Sequence, residues 1–184
     1  MKKTKKYIFN DIEYDSQEEV DFAKWIEESK LNGLIESSIY HPESLILTER
    51  KTIPDTVQLK TKTKSIEKFL LHPLTYQVDW EIVFTNKFQI VFPSHGLLSF
   101  NDRIYLIDVK GAYNLRNVHR IFIMQQKLVY DKYGMYVNMV VPEKFFAKTF
   151  VPSTAYYMKS RKVLTVRKPY SKCKLISEFN LISN

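Results

Sequence analysis

Cysteine, glycine and histidine are scarce in this 184-residue chain, and each scarcity excludes something. The single cysteine, Cys173, cannot form an internal disulfide and points to a reducing, cytoplasmic setting. Four glycines are too few for a glycine-rich phosphate loop. His41, His72, His95 and His119 are too far apart for zinc-ligand spacing. No stretch approaches the roughly eighteen consecutive apolar residues of a membrane span. The start Met-Lys-Lys-Thr-Lys-Lys is followed by no apolar segment, so no secretory signal is expected. There is no internal repeat and no low-complexity tract.

What is present suffices for a folded domain. The hydrophobic content of 45% and aromatic content of 14% support a core for one domain of ordinary size with a small appendage. The formal charge is +8, and residues 142–184 hold nine Lys or Arg against Glu143 and Glu178. Phe145, Phe146, Phe150, Tyr156, Tyr157 and Tyr170 are interleaved with those charges. Basic side chains attract phosphate and aromatics stack on unpaired bases, so this segment is a candidate DNA contact, through Arg161, Lys162, Arg167 and Lys168. The alternative is a solvated tail whose aromatics pack on the core. Residues 49–74 form a second basic stretch, with Lys60, Lys62, Lys64 and Lys68 spaced for a hairpin or loop over substrate. Arg116 and Arg120, with Lys62 and Lys64, are further candidate DNA contacts.

The chemistry concentrates in two strands. In Tyr105-Leu-Ile-Asp-Val-Lys110, alternation places Tyr105, Ile107 and Val109 on one face and Leu106, Asp108 and Lys110 on the other. Gly111 ends the strand. In the run 75–84, Tyr76, Val78, Trp80, Ile82 and Phe84 share a face, and Asp79 lies opposite with Gln77 and Glu81. Two carboxylates on neighbouring strands suit a hard divalent cation such as Mg2+ or Mn2+, which takes one or two carboxylates with waters and substrate phosphate. A lysine beside them would orient or deprotonate water. In a basic protein this pattern points to a metal-dependent phosphodiesterase acting on nucleic acid. An exposed acid–lysine pair on a solvated sheet face is the plainer reading.

A helix is expected from about residue 16 to 31, with Asp15 or Ser16 as N-cap, Glu18 or Glu19 completing a capping box, and Asn32-Gly33 as its stop. Glu19 falls in register with Phe22, Ala23 and Ile26 and should lean towards the core, whereas Glu18 reads as a surface or capping residue. Further strands are expected at residues 7–9, at 35–48 with a break near Tyr40-His-Pro, at 88–92, and at 135–141. A second helix spans about 118–132.

Together these pieces resemble the PD-(D/E)xK nuclease superfamily, and in particular small phage-type Holliday-junction resolvase-like endonucleases. The resemblance covers roughly residues 8–142 and rests on Tyr14-Asp-Ser-Gln-Glu-Glu19, the Tyr-Gln-Val-Asp79-Trp strand and Asp108-Val-Lys110. Two departures stand out: no proline precedes Asp79, and the stretch between the first helix and Asp79 is longer than a minimal core needs. The resemblance implies an α/β fold with a restriction-endonuclease-like core, a mixed central sheet flanked by helices in αβββαβ order. It implies a nuclease core at 1–142, with the basic insertion at about 49–74, and an extension at 143–184. Glu19, Asp79 and Asp108 would be the acidic site residues, with the Val109 carbonyl as a further metal ligand and Lys110 beside the water. Gln126, in Gln126-Lys-Leu-Val-Tyr130, looks like the glutamine of the RecB-type branch, although Gln125 and Lys127 are hard to separate from it. The implied activity is metal-dependent cleavage of branched or duplex DNA. A homodimer suits paired cuts at a four-way junction. A transposase-like or restriction-like end-cleaver working with recombination or transposition partners, and a non-catalytic basic nucleic-acid-binding module, are the competing readings.

Overall fold

The computed structural model describes residues 6–101, 103–111, 115–160 and 163–179. It begins with a short antiparallel hairpin, β1 (Tyr7–Phe9) and β2 (Ile12–Tyr14), turned by Asn10 and Asp11, both at positive φ. Helix α1 (Gln17–Leu31) follows. Its N-cap is Ser16, whose Oγ accepts the Glu19 N–H at 3.1 Å. The helix stops where Gly33 takes φ +66°, a left-handed turn that costs a Cβ-bearing residue energy. Its inner face carries Phe22, Ala23, Trp25 and Ile26, and Glu19 lies in that buried register as the periodicity required.

Strand β3 (Ile35–Tyr40) leads through a bend at His41 to β4 (Leu45–Thr48). A long antiparallel ribbon, β5 (Lys51–Gln58) and β6 (Thr63–Leu71), then stands between β4 and its partner β7 (Leu74–Tyr76). After β8 (Trp80–Phe84) come helix α2 (Asn86–Val91), strand β9 (Ile104–Val109), helix α3 (Leu115–Tyr133) and strand β10 (Val137–Val140). The central sheet has four strands in the order β10-β9-β8-β3. It is mixed, with β10 and β9 parallel and the β9–β8 and β8–β3 pairs antiparallel. The parallel pair is joined through α3, as a parallel connection requires. Among the described residues no helix is long and apolar enough to cross a membrane.

Two apolar clusters lie against this sheet. The larger holds Trp25 and Phe22 of α1 with Trp80, Ile82, Phe84 and Ile107. The smaller holds Leu106 with Phe122 and Val129 of α3, Leu47, Tyr76 and Val78. Strand β9 contributes to both by strict alternation, Tyr105, Ile107 and Val109 to one and Leu106 to the other.

Two expected strands are corrected. The run 75–84 is not one strand: β7 ends at Tyr76 and β8 begins at Trp80. Tyr76 and Val78 enter the smaller cluster, whereas Trp80, Ile82 and Phe84 enter the larger. The parity changes because residues 77–79 leave strand geometry, and Asp79 lies in that bend. Residues 88–92, expected as a strand, belong largely to α2. Phe84, Phe88 and Phe92 recur every four residues, and Phe88 stacks on Phe84 at 3.9 Å between centroids while meeting Trp25 edge-on at 6.0 Å. Those aromatic contacts outweigh the strand propensity of Phe-Gln-Ile-Val-Phe.

Apolar residues from Phe145 to Ile176, among them Phe146, Phe150, Val151 and Tyr170, pack into the same larger cluster. Helix α4 (Pro142–Phe146), with proline in its first turn, buries Phe145 and Phe146, and Phe150 follows fully buried. The short helix α5 (Ser153–Tyr156) leads to a small hairpin, β11 (Tyr157–Ser160) and β12 (Val163–Val166). A 3₁₀ turn at Lys168–Tyr170 then buries Tyr170. Phe145, Phe146, Phe150 and Tyr170 of the basic, aromatic segment are therefore core, whereas Lys144, Lys148, Lys168, Lys172 and Lys174 remain exposed.

Replacing Phe88 with Ala removes the ring that links α2, β8 and α1. Chemical denaturation should show a loss of about 3–5 kcal/mol. A loss below about 1 kcal/mol would mean the α2 packing does not hold in solution.

Candidate active site

Antiparallel register pairs Trp80 with Ile107, so one further step places Asp79 opposite Asp108. The β8 backbone does not continue the ladder there. Instead, Asp79 Oδ2 accepts the Val109 N–H at 2.6 Å, and the Asp79 carbonyl accepts the His41 N–H at 2.9 Å. A carboxylate thus replaces a strand where the sheet ends. Asp108 is buried on the face of Leu106. Its carboxylate accepts the Tyr76 hydroxyl and forms an ion pair with the Lys110 ammonium. Lys110 is held from behind, because its N–H donates to the Val140 carbonyl at 2.8 Å and extends the parallel ladder. Its side chain stays about one-quarter exposed, so the ammonium reaches both Asp108 and solvent.

The electrostatics are those of two carboxylates forced together. Burial, then the Asp108 charge, raise Asp79 to about 7, against the opposing pull of Lys110 and of the Val109 N–H. Burial and the Asp108 charge likewise hold the Tyr76 hydroxyl protonated, so it is a hydrogen-bond donor to Asp108.

Glu19 is buried at the edge of this group. Its carboxylate accepts the Asp15 N–H at 3.3 Å, the Ser16 hydroxyl at 2.8 Å and the Tyr40 hydroxyl at 3.2 Å. The helix-capping role is thus real, and Glu19 acts on Asp79 through its charge. Glu18, half-buried, leans the other way: a Cβ on Gly111 would come within 3.1 Å of Glu18 Oε1. Both glutamates therefore flank the end of β9, Glu19 on the Asp79 side and Glu18 over Gly111.

Gln126 is not part of the group. Its amide donates to the Val137 carbonyl at 2.6 Å, at the start of β10, whereas Asp108 pairs with Met139 further along. Tyr76 and Tyr40 are the participants that sequence reading missed. Alternation across an unbroken strand had put Tyr76 opposite Asp79, and only the bend at 77–79 turns its hydroxyl to Asp108.

The basic candidates divide. Lys64 is exposed on β6 and Lys62 in the turn that joins it to β5, Arg120 is exposed on α3, and Lys168 is exposed beside Tyr170. Arg116 is in the first turn of α3, but its side chain lies outside the described residues, as do Arg161 and Lys162 altogether. Arg167 is engaged internally: it donates to the fully buried Asp21 carboxylate at 2.6 Å, which also accepts the Tyr170 hydroxyl at 2.6 Å and the Gln17 amide at 3.0 Å.

The donor set suits a hard cation in kind, since Asp79 and Asp108 offer carboxylate oxygens that repel one another when no cation lies between them. It is small in number: among the described residues no group of three or more His, Cys, Asp or Glu is placed to hold a metal ion. Two carboxylates match magnesium, which keeps waters and substrate phosphate in its remaining positions. No family model, curated protein or solved structure matches this chain.

Two outcomes follow from these contacts. Because Asp79 is raised above its unfolded value of 3.8, the metal-free protein binds its proton more tightly than the unfolded chain. That contribution is full below about pH 4 and is lost as pH rises through about 7. In EDTA, Asp79→Asn, which keeps an acceptor for the Val109 N–H, should flatten this decline and raise stability at pH 8 by on the order of 2 kcal/mol. Parallel pH–stability curves for the two proteins would refute it. Arg167→Ala leaves the Asp21 charge buried with only neutral partners and should cost about 3 kcal/mol in thermal or denaturant unfolding. An unchanged unfolding midpoint would show that the ion pair is not formed.

Proposed function

We propose that this protein is a metal-dependent endodeoxyribonuclease, with Asp79, Asp108 and Lys110 as its central residues. The observation that carries this reading is the meeting of two desolvated carboxylates, one raised to about 7, with a lysine ammonium at the exposed end of a strand pair. The order α1, β3, β8, β9, α3, β10 around a mixed sheet supports a restriction-endonuclease-like core within the PD-(D/E)xK superfamily.

Asp79 and Asp108 would hold Mg2+ or Mn2+, which supplies positive charge against the scissile phosphate and lowers the pKa of a coordinated water. The chain's own groups do the rest. Val109 N–H fixes one Asp79 oxygen, and Tyr76 fixes one Asp108 oxygen, so both carboxylates are oriented before substrate arrives. Lys110, partly exposed, positions the attacking water and stabilises charge developing on the phosphate oxygens. Glu19 adds negative charge beside Asp79 while Tyr40 and Ser16 hold it in place. The basic surface favours a DNA substrate.

A second reading has its own support. Tyr76 and Lys110 both engage Asp108, and no three-ligand group is present among the described residues. A nucleic-acid-binding module in which the acid–lysine pair is structural would have these contacts too.

Cleavage of labelled four-way junction, flap, linear duplex and single-stranded DNA, in magnesium, manganese or EDTA, separates the two. Lys110→Ala and Asp108→Ala should lower metal-dependent cutting by on the order of a hundredfold or more while DNA is still bound. Cutting at wild-type rates by both variants, or binding without cutting of any substrate by the wild type, would defeat the nuclease reading.

A further inference from the structure

The β5–β6 ribbon is disproportionate to its packing. Its strands pair continuously from Thr52–Phe69 to Gln58–Thr63, and almost every residue of both is exposed. A two-stranded ribbon of this kind is marginally stable alone, and eight residues of strand extend about 27 Å.

Its two faces differ in chemistry. Cross-strand partners share a face, so Ile53–Lys68, Asp55–Ile66 and Val57–Lys64 lie on one side, and Lys62 continues that alternation next to the turn. The Lys68–Asp55 ion pair at 3.7 Å, a diagonal contact, places both side chains on that face. The other face carries Pro54, Thr56 and Ser65, with Thr63 Oγ1 donating to Gln58 Oε1 at 2.6 Å and Thr52 donating to Glu67. Lysines on an exposed ribbon also deter edge-to-edge aggregation, but that role acts on the edges and gives no reason to gather them on one face. Lys62, Lys64 and Lys68 are all on one side, opposed there by Asp55 alone.

The ribbon is also rooted beside the candidate active site. Strand β6 runs through His72 and Pro73 into β7, whose Tyr76 bonds Asp108, and Asp79 follows three residues later. Lys68 lies towards that root, and Lys64 lies about 14 Å further out near the turn, so a duplex gripped along this face runs back towards the chain segment that carries Tyr76 and Asp79.

We infer that this ribbon is a DNA-docking arm, whose Lys62/Lys64/Lys68 face enters a duplex groove and contacts phosphates of the duplex that is presented to the cleavage centre. The occupant is duplex DNA because the face is cationic and a two-stranded ribbon fits the major groove, which is about 12 Å wide. Ile53 and Val57, about 40% exposed between the lysines, provide apolar contact for base edges without a sequence code of hydrogen bonds. The inference rests on the nuclease reading for its substrate class, but it is tested by binding alone.

The test is fluorescence anisotropy of the full chain with a labelled duplex, in EDTA, across a salt series. The triple variant Lys62→Ala, Lys64→Ala, Lys68→Ala should weaken binding at least tenfold near physiological salt. The slope of log K against log salt should become shallower by about two to three. Net charge alone would produce some of that loss, so a second variant holds it constant. Lys62→Thr, Thr63→Lys, Lys64→Ser, Ser65→Lys moves two lysines to the opposite face without changing composition. It should lose most of the same affinity. Wild-type affinity in the transposed variant, or no duplex binding by the wild type, overturns the docking arm. Metal-dependent cleavage that all ribbon variants retain undiminished also overturns it and leaves the nuclease standing. Ribbon-dependent binding without any cleavage does the reverse.

Discussion

The bond from the Val109 N–H to the Asp79 carboxylate is the constraint on which the candidate site depends. A β-strand ladder normally ends by exposing its unpaired groups to water or by pairing with another backbone. Here a charged side chain takes the position that the backbone of β8 has vacated. One bond thereby terminates the ladder, anchors the bend at residues 77–79 and draws a carboxylate beside Asp108. The local cost is the burial of the Asp79 carboxylate, with the Asp108 charge second, which together raise it to about 7. Perturbed carboxylates occur both at functional sites and in structural ion-pair networks, and Asp79 combines burial with a structural bond to Val109.

Much of this was visible in the chain itself, wherever one periodicity served one surface. Strand β9 separates two apolar clusters, so its alternation had to be strict, and the shared face of Asp108 and Lys110 followed from counting. The same holds for α1, where Glu19 falls in step with Phe22, Ala23 and Ile26. What escaped sequence reading lies where a pattern changes its reference surface. Tyr76 and Trp80 look like members of one stripe, yet they enter opposite clusters, because the chain turns over at Asp79. Phe88 and Phe92 carry strand-forming side chains, but stacking on Phe84 selects a helical turn.

Long-range charge pairing was illegible for another reason. Arg167 looked like one more cation in a basic segment. Its partner, Asp21, sits on a helix near the opposite end of the chain, and no local pattern marks that aspartate as the buried anion awaiting it. The nine cations of residues 142–184 therefore do not act as one class: Arg167 holds the fold together, while Lys168, one residue on, faces solvent.

The Asp21 contacts also bear on how the chain assembles. Arg167 and Tyr170 are separated from Asp21 by 146 and 149 residues. Phe145 and Phe150, which pack on Trp25, come almost as late. Helix α1 is made long before these partners, and its apolar face and the Asp21 carboxylate are completed only when nearly all of the described chain has emerged. Loop closure over such distances is slow relative to local helix formation. During synthesis the sheet residues can gather around α1, but the cluster cannot close until its last aromatic side chains arrive. The contacts that complete the α1 surface therefore form only after these residues have been translated.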